Sequence, residues 1–323
     1  MSSLYKFKGR LKEEFPSQII VDVAEICNLA CVHCPHSQYQ KSGKLSGNFI
    51  DVELNSKMVN EVEKYGKGNT QQIRYTANGE TLLHPQIYEM LKYSVDNSGT
   101  FVSVTTNGTL LNGGNIEKLL GTGVNLIDIS IDAFLDETYS KIRRNGELKI
   151  TRNNVLNLLN MKNTIGSKTK IVVSFVEQKL NKNEVINFKE YWESKGADYV
   201  IIRRLHSAGG ANDNIADDIK SVNKNRRPCV YPWERITLNA KGYLSYCPDC
   251  WDGKSEINDY RSNNIYETWN STFYKELREA HVKNKLSLFQ FCNQCPDWAQ
   301  TRWPEEGRGY GDMISDFSKS DNK

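Results

Sequence analysis

Short apolar runs rich in β-branched residues alternate with segments of helical spacing through residues 18–206. The apolar runs have the length of buried parallel strands, and they lie at residues 19–23, 72–75, 101–105, 126–131, 171–175 and 199–202. The helical segments lie at residues 53–65, 86–95, 115–120, 151–161 and 184–194. Regular alternation of strand and helix is the pattern of β/α units. The sequence therefore predicts an α/β fold, a (βα)6 partial TIM barrel.

A second, smaller unit is expected after the barrel. Residues 207–228 are rich in turn-forming and then basic residues, which predicts a linker. Residues 229–300 contain a predicted β-hairpin, formed by residues 235–238 and 243–246 around Gly242, and one predicted helix at residues 265–282. We expect residues 1–17 to be an N-terminal extension and residues 301–323 to be a fraying C-terminal tail.

Composition and charge exclude several classes of protein. With 38% hydrophobic and 25% charged residues, the chain is globular rather than disordered or fibrous. Its net charge of +3 does not mark a nucleic-acid partner. The N-terminus lacks the apolar core of a signal peptide and no segment has the length of a membrane span, so we expect a cytoplasmic protein without a membrane partner. In a reducing compartment, the eight cysteines point to metal ligation, catalysis or burial rather than to disulfides.

A cysteine triplet follows the first predicted strand directly. Cys27, Cys31 and Cys34 are spaced Cys-x3-Cys-x2-Cys, on a loop at the mouth of the barrel, where such folds carry their chemistry. Three thiolates this close can hold three corners of a 4Fe–4S cluster and leave one iron open to a reactant. Zinc is the alternative, and it would take a fourth ligand from His33 or His36.

Polar residues also follow the next three predicted strands, where a barrel gathers its ligand contacts. They are Asn78, Gly79 and Glu80 after the second strand, Thr106 and Asn107 after the third, and Ser130 and Asp132 at the end of the fourth. This arrangement favours the iron–sulfur interpretation of the cysteine loop over zinc.

Together, the cysteine loop and these strand ends resemble the radical SAM superfamily across nearly the whole chain. Residues 76–85 are similar to the family's Gly-Gly-Glu-Pro element, although Asn78 replaces the first Gly and Thr81 replaces Pro. The resemblance implies that the cysteine loop and Glu80 bind S-adenosylmethionine, with Glu80 taking the methionine ammonium. It also implies that His33, Asn78, Gly79 and Asp132 lie among the cofactor-binding residues.

The same resemblance implies a binding site for the methionine carboxylate and for the ribose. Ser130 and either Arg143 or Arg144 would approach the carboxylate, because a guanidinium fork suits it. The alternative is that both arginines cap or solvate a helix at residues 138–144. Thr106 and Asn107 would touch the ribose, although a plain turn explains Asn107 equally well.

Five cysteines remain near the C-terminus: Cys229, Cys247, Cys250, Cys292 and Cys295. Their spacing resembles the auxiliary-cluster extension called SPASM or, in its truncated form, twitch. A full SPASM extension carries further cysteines after the last Cys-x2-Cys, and residues 296–323 contain none. The resemblance therefore implies a twitch-type domain in which all but Cys250 close a second 4Fe–4S cluster. A zinc knuckle built from the two Cys-x2-Cys pairs is the alternative, and it would leave Cys229 unused.

Three further residues are candidates for catalysis. Cys250 is either a small buried hydrophobe, a substitute ligand, or a thiol that donates a hydrogen atom to a substrate radical. Asp249 and Asp252 flank it, and either could take a proton as a general base, although an exposed acidic turn is the alternative.

A basic segment follows the sixth predicted strand and contains Arg203, Arg204 and His206. It either binds an anionic or hydroxylated substrate at the barrel mouth or is a solvated strand end.

The resemblance implies a 5′-deoxyadenosyl radical that abstracts hydrogen from substrate, with electrons from a flavodoxin- or ferredoxin-type reductant. We expect a radical SAM oxidoreductase that acts on a small polar substrate, namely an amino sugar, an aminocyclitol or an activated sugar. A closed second cluster favours net dehydrogenation, because it can accept the second electron. The alternatives are an epimerase with Cys250 as hydrogen donor, and a peptide- or protein-modifying enzyme.

Overall fold

Six parallel strands, hydrogen-bonded in chain order, form the wall of a partial barrel. The computed structural model describes residues 14–76, 78–222 and 225–301. Each strand begins and ends within two residues of its predicted run, which confirms the predicted α/β partial barrel. The strands are β1 (Gln18–Asp22), β2 (Gln72–Thr76), β3 (Phe101–Thr106), β4 (Leu126–Ser130), β5 (Lys170–Glu177) and β6 (Tyr199–Arg204).

Helices connect these strands and cover the outer face of the sheet. They are α1 (His36–Lys41), α2 (Val52–Glu61), α3 (Ile87–Asn97), α4 (Gly113–Gly121), α5 (Asp136–Ile142), α6 (Leu148–Thr164) and α7 (Val185–Ser194). A π-helical turn at Val62–Gly66 continues α2, and 3₁₀ turns lie at Thr81–Leu83 and Lys182–Glu184. Polar side chains begin two of the helices, since Asp51 accepts from the Glu53 amide and Asn112 from the Asn115 amide.

Side chains of the strands alternate between the helix-covered face and the barrel interior. On the interior face, an apolar cluster fills the end of the barrel where the strands begin; it contains Leu126 and Val172, with Phe101, Tyr199 and Ile201 packed against them. Farther along the strands, the interior becomes polar and charged. The open end of the barrel is therefore the face that can receive polar ligands.

The C-terminal part of the chain extends the same sheet. Its strands are β7 (Arg235–Leu238), β8 (Tyr243–Ser245) and β9 (Glu256–Asp259). β7 runs parallel to β1, and β8 and β9 follow antiparallel, so the full order is β6-β5-β4-β3-β2-β1-β7-β8-β9. The predicted hairpin is present, and Gly242 has a φ of +84° in its turn. The pairing of β7 with β1 fixes the C-terminal unit against the barrel.

Two sequence expectations are refined here. The segment 207–228, expected as a linker, contains the helix α8 (Asp213–Val222). The single helix expected at 265–282 is wrong, because there are two, α10 (Ile265–Trp269) and α11 (Thr272–Val282), and the Ser271 side chain caps the second. The helices α9 (Tyr231–Glu234) and α12 (Gln290–Gln294), with a 3₁₀ turn at Asp297–Ala299, complete the unit.

Most of the expected N-terminal extension (residues 1–13) and of the C-terminal tail (residues 302–323) lies outside the described residues, as does Lys224 of the expected linker. Among the helices that the structure describes, none combines the length and the apolar character that a membrane crossing demands.

Candidate cofactor and substrate sites

The cysteine triplet lies on a loop that is held at the open end of the barrel. The Ala30 amide donates to the Arg144 carbonyl and the Val32 amide to the Ile142 carbonyl, both at 2.9 Å, so the loop is tied to the end of α5. Cys27, Cys31 and Cys34 are half-buried residues and form no disulfide. The loop can therefore present all three sulfur atoms to one ligand.

The chemistry of these thiols fits a strongly cationic ligand. Burial raises the pKa of Cys27 to about 11 and that of Cys34 to about 12, and it also raises the pKa of Cys31. Without a cation, the three sulfur atoms would therefore stay protonated at neutral pH. A metal that displaces the protons turns them into ligands.

Neither nearby histidine is arranged as a fourth ligand. The His36 ring is buried, and its Nε2 lies 2.9 Å from the Glu25 carbonyl. His33 Nε2 lies 3.6 Å from an Asp132 oxygen, and its Nδ1 lies 3.4 Å from the Gln178 amide. The loop thus offers three thiols and an open position, which suits the iron–sulfur cluster better than closed zinc coordination.

The loop after β2 packs directly on the backbone that precedes the cysteines. The Gly79 amide donates to the Ala24 carbonyl at 2.9 Å, and the Glu80 amide donates to the Ile26 carbonyl at 2.7 Å. A Cβ added at Gly79 would lie 1.8 Å from the Ile26 carbonyl oxygen, so only glycine fits. This close approach explains why the second glycine of the family's element is kept although Asn78 replaces the first.

Glu80 is buried, with 2% of its surface exposed, and its carboxylate organises the neighbouring strand end. It accepts a hydrogen bond from the Thr106 hydroxyl at 2.5 Å and another from the Asn107 amide at 2.8 Å. Burial raises the pKa of this carboxyl group. A bound ammonium group would favour its charged form, as the predicted contact with methionine requires.

Asn78 and Asn107 are both committed to protein contacts. The Asn78 amide and side chain donate to the two oxygens of Asp22, each at 2.7 Å. The Asn107 side chain accepts from the Thr109 amide at 2.9 Å and donates to the Asn28 side chain at 2.9 Å. These contacts fit the alternative in which Asn107 belongs to a plain turn. Asp22 was not predicted from the sequence. The feature that could have indicated it is a carboxylate at the end of an apolar strand.

A buried ion pair stands beside the cysteine loop and distinguishes the two candidate arginines. Arg143 donates from Nε at 2.9 Å and from Nη2 at 2.5 Å to one oxygen of Asp132, whose other oxygen accepts from the Val176 amide. Burial opposes the charge on Arg143, but Asp132 and Cys31 outweigh it and raise the pKa of the guanidinium.

Arg144 is exposed, so the structure brings Arg143, and not Arg144, to the cysteines. Ser130 ends β4 and pairs in register with Ser174. It shares the inward face of β4 with Asp128, at the open end of the barrel. Its contact with a methionine carboxylate stays a prediction.

Four cysteines come together in the C-terminal unit. Cys229, Cys247, Cys292 and Cys295 line one cavity, although more than sixty residues separate the first from the last. Burial raises the pKa of Cys229 and of Cys292 to about 12 and also raises that of the other two. Four thiols around one enclosed space fit a closed cluster, and they include Cys229, which a zinc knuckle would leave unused.

Cys250 lines a neighbouring polar cavity together with Asp22 and Trp251. Its sulfur accepts from the Ser255 amide at 3.2 Å and donates to an Asp252 oxygen at 3.4 Å. Lys254 pairs with Asp252 at 2.7 Å, and the pKa of that carboxyl group is lowered, because this pairing outweighs the effect of burial. Asp252 therefore fits the alternative of an acidic turn. Cys250 lines a cavity that Cys247 also borders, next to the cavity of the four cysteines.

Charged side chains occupy the barrel interior beyond the apolar cluster. Arg203 donates to Asp128 at 2.5 Å and to the Ser174 hydroxyl at 3.2 Å, and Ser174 also hydrogen-bonds to Asp128. Arg74 lies 3.9 Å from Asp128 and donates to the Thr105 hydroxyl at 3.1 Å. We call these five residues the interior polar layer. Arg74 and Asp128 were missed in the sequence, and their signal was a charge at an inward position of an apolar strand.

Asp249 links this layer to the second cysteine site. It is half-buried two residues beyond Cys247, and the charges of His206 and Arg74 act on it. One ligand atom each of His206, Asp249 and Asp297 lies within 4.8 Å of the others. Burial raises the pKa of Asp249 and outweighs the opposing electrostatic contributions of its neighbours. A carboxylate of the C-terminal unit, which lines the second cysteine cavity, is therefore within electrostatic reach of the interior polar layer.

The fold and the two thiol sites define an iron–sulfur enzyme built on a partial barrel. Comparison with known families agrees: the sequence profile of the radical SAM superfamily matches residues 21–185, and that of the iron–sulfur cluster-binding domain SPASM matches residues 229–296. The chain belongs to the radical SAM superfamily. These two domains bring S-adenosylmethionine and two iron–sulfur clusters as cofactors.

Curated relatives match parts of the chain. AdoMet-dependent heme synthase of Methanosarcina barkeri is 31% identical over 128 residues, which are 40% of this chain and 34% of that protein. The probable GTP 3′,8-cyclase of Methanocaldococcus jannaschii is 26% identical over 196 residues, 59% of this chain and 61% of that protein. The matched region thus spans less than two thirds of either relative.

Solved structures share the fold over most of the chain. BtrN in complex with AdoMet and 2-DOIA has a TM-score of 0.57 at 15% identity, covering 88% of this chain and 94% of BtrN. Streptococcus suis SuiB bound to the precursor peptide SuiA has a TM-score of 0.64 at 14% identity, covering 95% of this chain and 74% of SuiB. At these identities the likeness shows the fold alone.

Proposed function

We propose that this chain is a radical SAM oxidoreductase that dehydrogenates a small polar substrate held in the barrel interior. The observation that carries the proposal is the position of Asp249. It follows Cys247, a proposed cluster ligand, by two residues, and it is within electrostatic reach of Arg74 of the interior polar layer. A substrate in that layer would lie deeper in the barrel than the cofactor-binding strand ends and close to the second cysteine site.

The cofactors and the chain divide the chemistry between them. When bound, S-adenosylmethionine and the two clusters supply a 5′-deoxyadenosyl radical and an electron acceptor. Cys27, Cys31 and Cys34 would hold the first cluster, and the four cysteines of the C-terminal cavity would hold the second. Glu80 would orient the ammonium group of the methionine part of S-adenosylmethionine. Arg143 and Ser130 would bind the carboxylate of the same methionine. His33, Asp132 and the backbone of Asn78 and Gly79 would fix these groups in place.

The interior polar layer supports a polar, hydroxylated substrate. Arg74 and Arg203 provide donors, and Asp128 provides acceptors, so hydroxyl, amino and phosphate groups all find partners there. An amino sugar, an aminocyclitol or an activated sugar has this character. Asp249 would take the hydroxyl proton as an alcohol carbon is oxidised, with His206 beside it.

The remaining parts of the proposal follow from the family. The barrel would span residues 18–206 and the auxiliary domain residues 229–300, joined by residues 207–228. A flavodoxin- or ferredoxin-type protein would supply electrons. We propose a cytoplasmic location and no nucleic-acid partner, because the net charge of +3 gives no strong attraction to phosphate backbones.

The test is turnover with a panel of deuterated amino sugars, aminocyclitols and activated sugars under anaerobic reduction. We expect one class to transfer deuterium into 5′-deoxyadenosine and to yield a product two mass units lighter than the unlabelled substrate. Arg203→Leu should lower kcat/KM at least tenfold, because it removes a substrate partner and leaves Asp128 with fewer donors. Exposed Arg144→Leu is the matched control. If deoxyadenosine forms without deuterium from any member, the substrate class is wrong.

Epimerisation is the second candidate, and the position of Cys250 favours it. Its thiol lines a polar cavity next to Asp22 rather than the cavity of the other four cysteines. An epimerase would return a hydrogen atom from this thiol, so product formed in D2O would carry deuterium at carbon. Cys250→Ala would then stop product while deoxyadenosine still forms. A dehydrogenase would keep its product in this variant and incorporate no solvent deuterium.

A peptide- or protein-modifying enzyme is the remaining candidate, because SuiB, which was crystallised with a precursor peptide, shares the fold over 95% of this chain. In the deuterium assay, this candidate predicts no transfer from any sugar or cyclitol. The dehydrogenase proposal predicts transfer from one of them.

A further inference from the structure

A buried histidine stands in the C-terminal cavity that the four cysteines line. His281 lies in the last turn of α11, and 3% of its surface is exposed. It lines the cavity together with Cys229, Cys247, Cys292 and Cys295, and its ring packs edge-on against Trp233 with 6.2 Å between centroids. The cofactor contacts described above do not use this side chain.

Hydrogen bonding defines which nitrogen of the ring carries the proton. The Cys229 amide donates to Nδ1 of His281 at 3.4 Å. A ring nitrogen that accepts a hydrogen bond has no proton of its own, so the proton of the imidazole is on Nε2. The backbone of one cysteine thus sets the tautomer of the histidine beside it.

Nε2 itself is buried and has no hydrogen-bond partner among the described residues. A buried donor without an acceptor is costly, and native proteins rarely leave one. The cavity that His281 lines is also the space in which the cysteine sulfurs gather. The sulfur atoms of a cluster are acceptors that would satisfy the donor.

We propose that His281 donates a hydrogen bond from Nε2 to a sulfur atom of the second cluster and thereby raises its reduction potential. Hydrogen bonds to the sulfurs of a cluster stabilise the added negative charge of the reduced form. The inference rests on the proposed ligation by the four cysteines. It adds a residue that tunes the cluster as an electron acceptor.

A role as an iron ligand conflicts with the same geometry. Ligation through Nε2 would need the lone pair there, and the neutral ring would then carry its proton on Nδ1. The Cys229 amide would lose its acceptor. The four thiols already provide the full ligand set of a closed cluster.

Arg226 adds a positive charge on the same side of the cavity. Its guanidinium donates to the Cys292 carbonyl at 2.7 Å and to the Asn293 carbonyl at 3.3 Å, and it interacts electrostatically with Cys229, Cys292 and Cys295. This cation favours the reduced cluster in the same direction as the hydrogen bond. Asp249 and Asp297 also line this cavity, and their carboxylates act in the opposite direction. His281 and Arg226 therefore favour the reduced cluster against these two carboxylates.

The test compares the second cluster in two His281 variants of the full chain. The Cys27/Cys31/Cys34→Ala background isolates its EPR signal, and potentiometric titration gives its midpoint potential. His281→Phe keeps a ring against Trp233 but removes the donor, so the ratio of reduced to oxidised cluster at a fixed potential should fall about tenfold, a shift of about 59 mV for one electron. His281→Gln, which can accept and donate, should restore most of the shift.

A second measurement detects the hydrogen bond itself. In the Cys27/Cys31/Cys34→Ala background exchanged into D2O, pulsed EPR of the reduced second cluster should show an exchangeable deuteron coupling that the same background with His281→Phe lacks. Equal potentials and equal couplings in wild type and His281→Phe would overturn the proposal, as would loss of about four irons in His281→Phe, which would make the histidine a ligand. If wild type itself holds no second cluster, the ligation proposed above fails instead, and the iron content shows this separately.

Discussion

At the scale of single residues, the candidate sites depend on buried carboxylates that accept hydrogen bonds from the backbone. Asp22, Glu80 and Asp132 all lie at or just beyond strand ends and accept hydrogen bonds from backbone amides. Glu80 and Asp132 could be predicted as site residues from the sequence, because they follow apolar strands at the mouth of the barrel. Asp22 was missed, since a strand-terminal carboxylate gives no sign of its partner, the amide of Asn78, which is fifty-six residues away.

Asp22 predicts a pH dependence of stability. Burial raises its pKa to about 7 from an ordinary value near 4. The folded protein therefore holds an extra proton between these values, and the free energy of unfolding falls as pH rises through that window, by up to about 4 kcal/mol at 1.36 kcal/mol per pH unit. In Asp22→Asn, the difference in melting temperature between about pH 5.5 and pH 8 should shrink. Exposed Asp96→Asn is the control and should leave this difference in melting temperature unchanged. An unchanged difference in Asp22→Asn would contradict the prediction.

At the scale of elements, the six barrel strands were predictable because each is an apolar run of its own. β9 was not, because its four residues are all half-buried and show no alternation of apolar and polar side chains. The break between α10 and α11 was missed because Ser271 acts as a cap only when the chain has turned there. The pairing of β7 with β1 joins residues more than two hundred positions apart, which no local pattern encodes.

Contact between the loops after β1 and β2 gives a prediction at this scale. In Gly79→Ala, the new Cβ would lie 1.8 Å from the Ile26 carbonyl oxygen, so the two backbones must separate. We expect a loss of about 1–3 kcal/mol in stability and a lower iron content in the first cluster. Gly121→Ala is the matched control, because its Cβ meets nothing within 4 Å and alanine favours a helix. Equal iron content and stability in both variants would disprove the contact.

At the scale of the whole molecule, the site is assembled from parts that are distant in sequence. The cysteine spacings predicted both thiol sites, and the structure gathers Cys229 with Cys295 in one cavity. The interior polar layer could not be predicted, because Arg74, Asp128 and Arg203 are single charges on three different strands. Only the alignment of the strands brings them together, within electrostatic reach of Asp249.

The most direct test of the account is the iron and sulfide content, with EPR after reduction, of anaerobically reconstituted wild type and of the Cys27/Cys31/Cys34→Ala variant. Two four-iron sites predict about eight irons in the wild type and about four in the variant. Cys250→Ala should keep about eight, because Cys250 lies outside the set of ligands. A triple variant that holds no iron, or zinc in its place, would contradict the central claim that four C-terminal cysteines hold a second redox cluster.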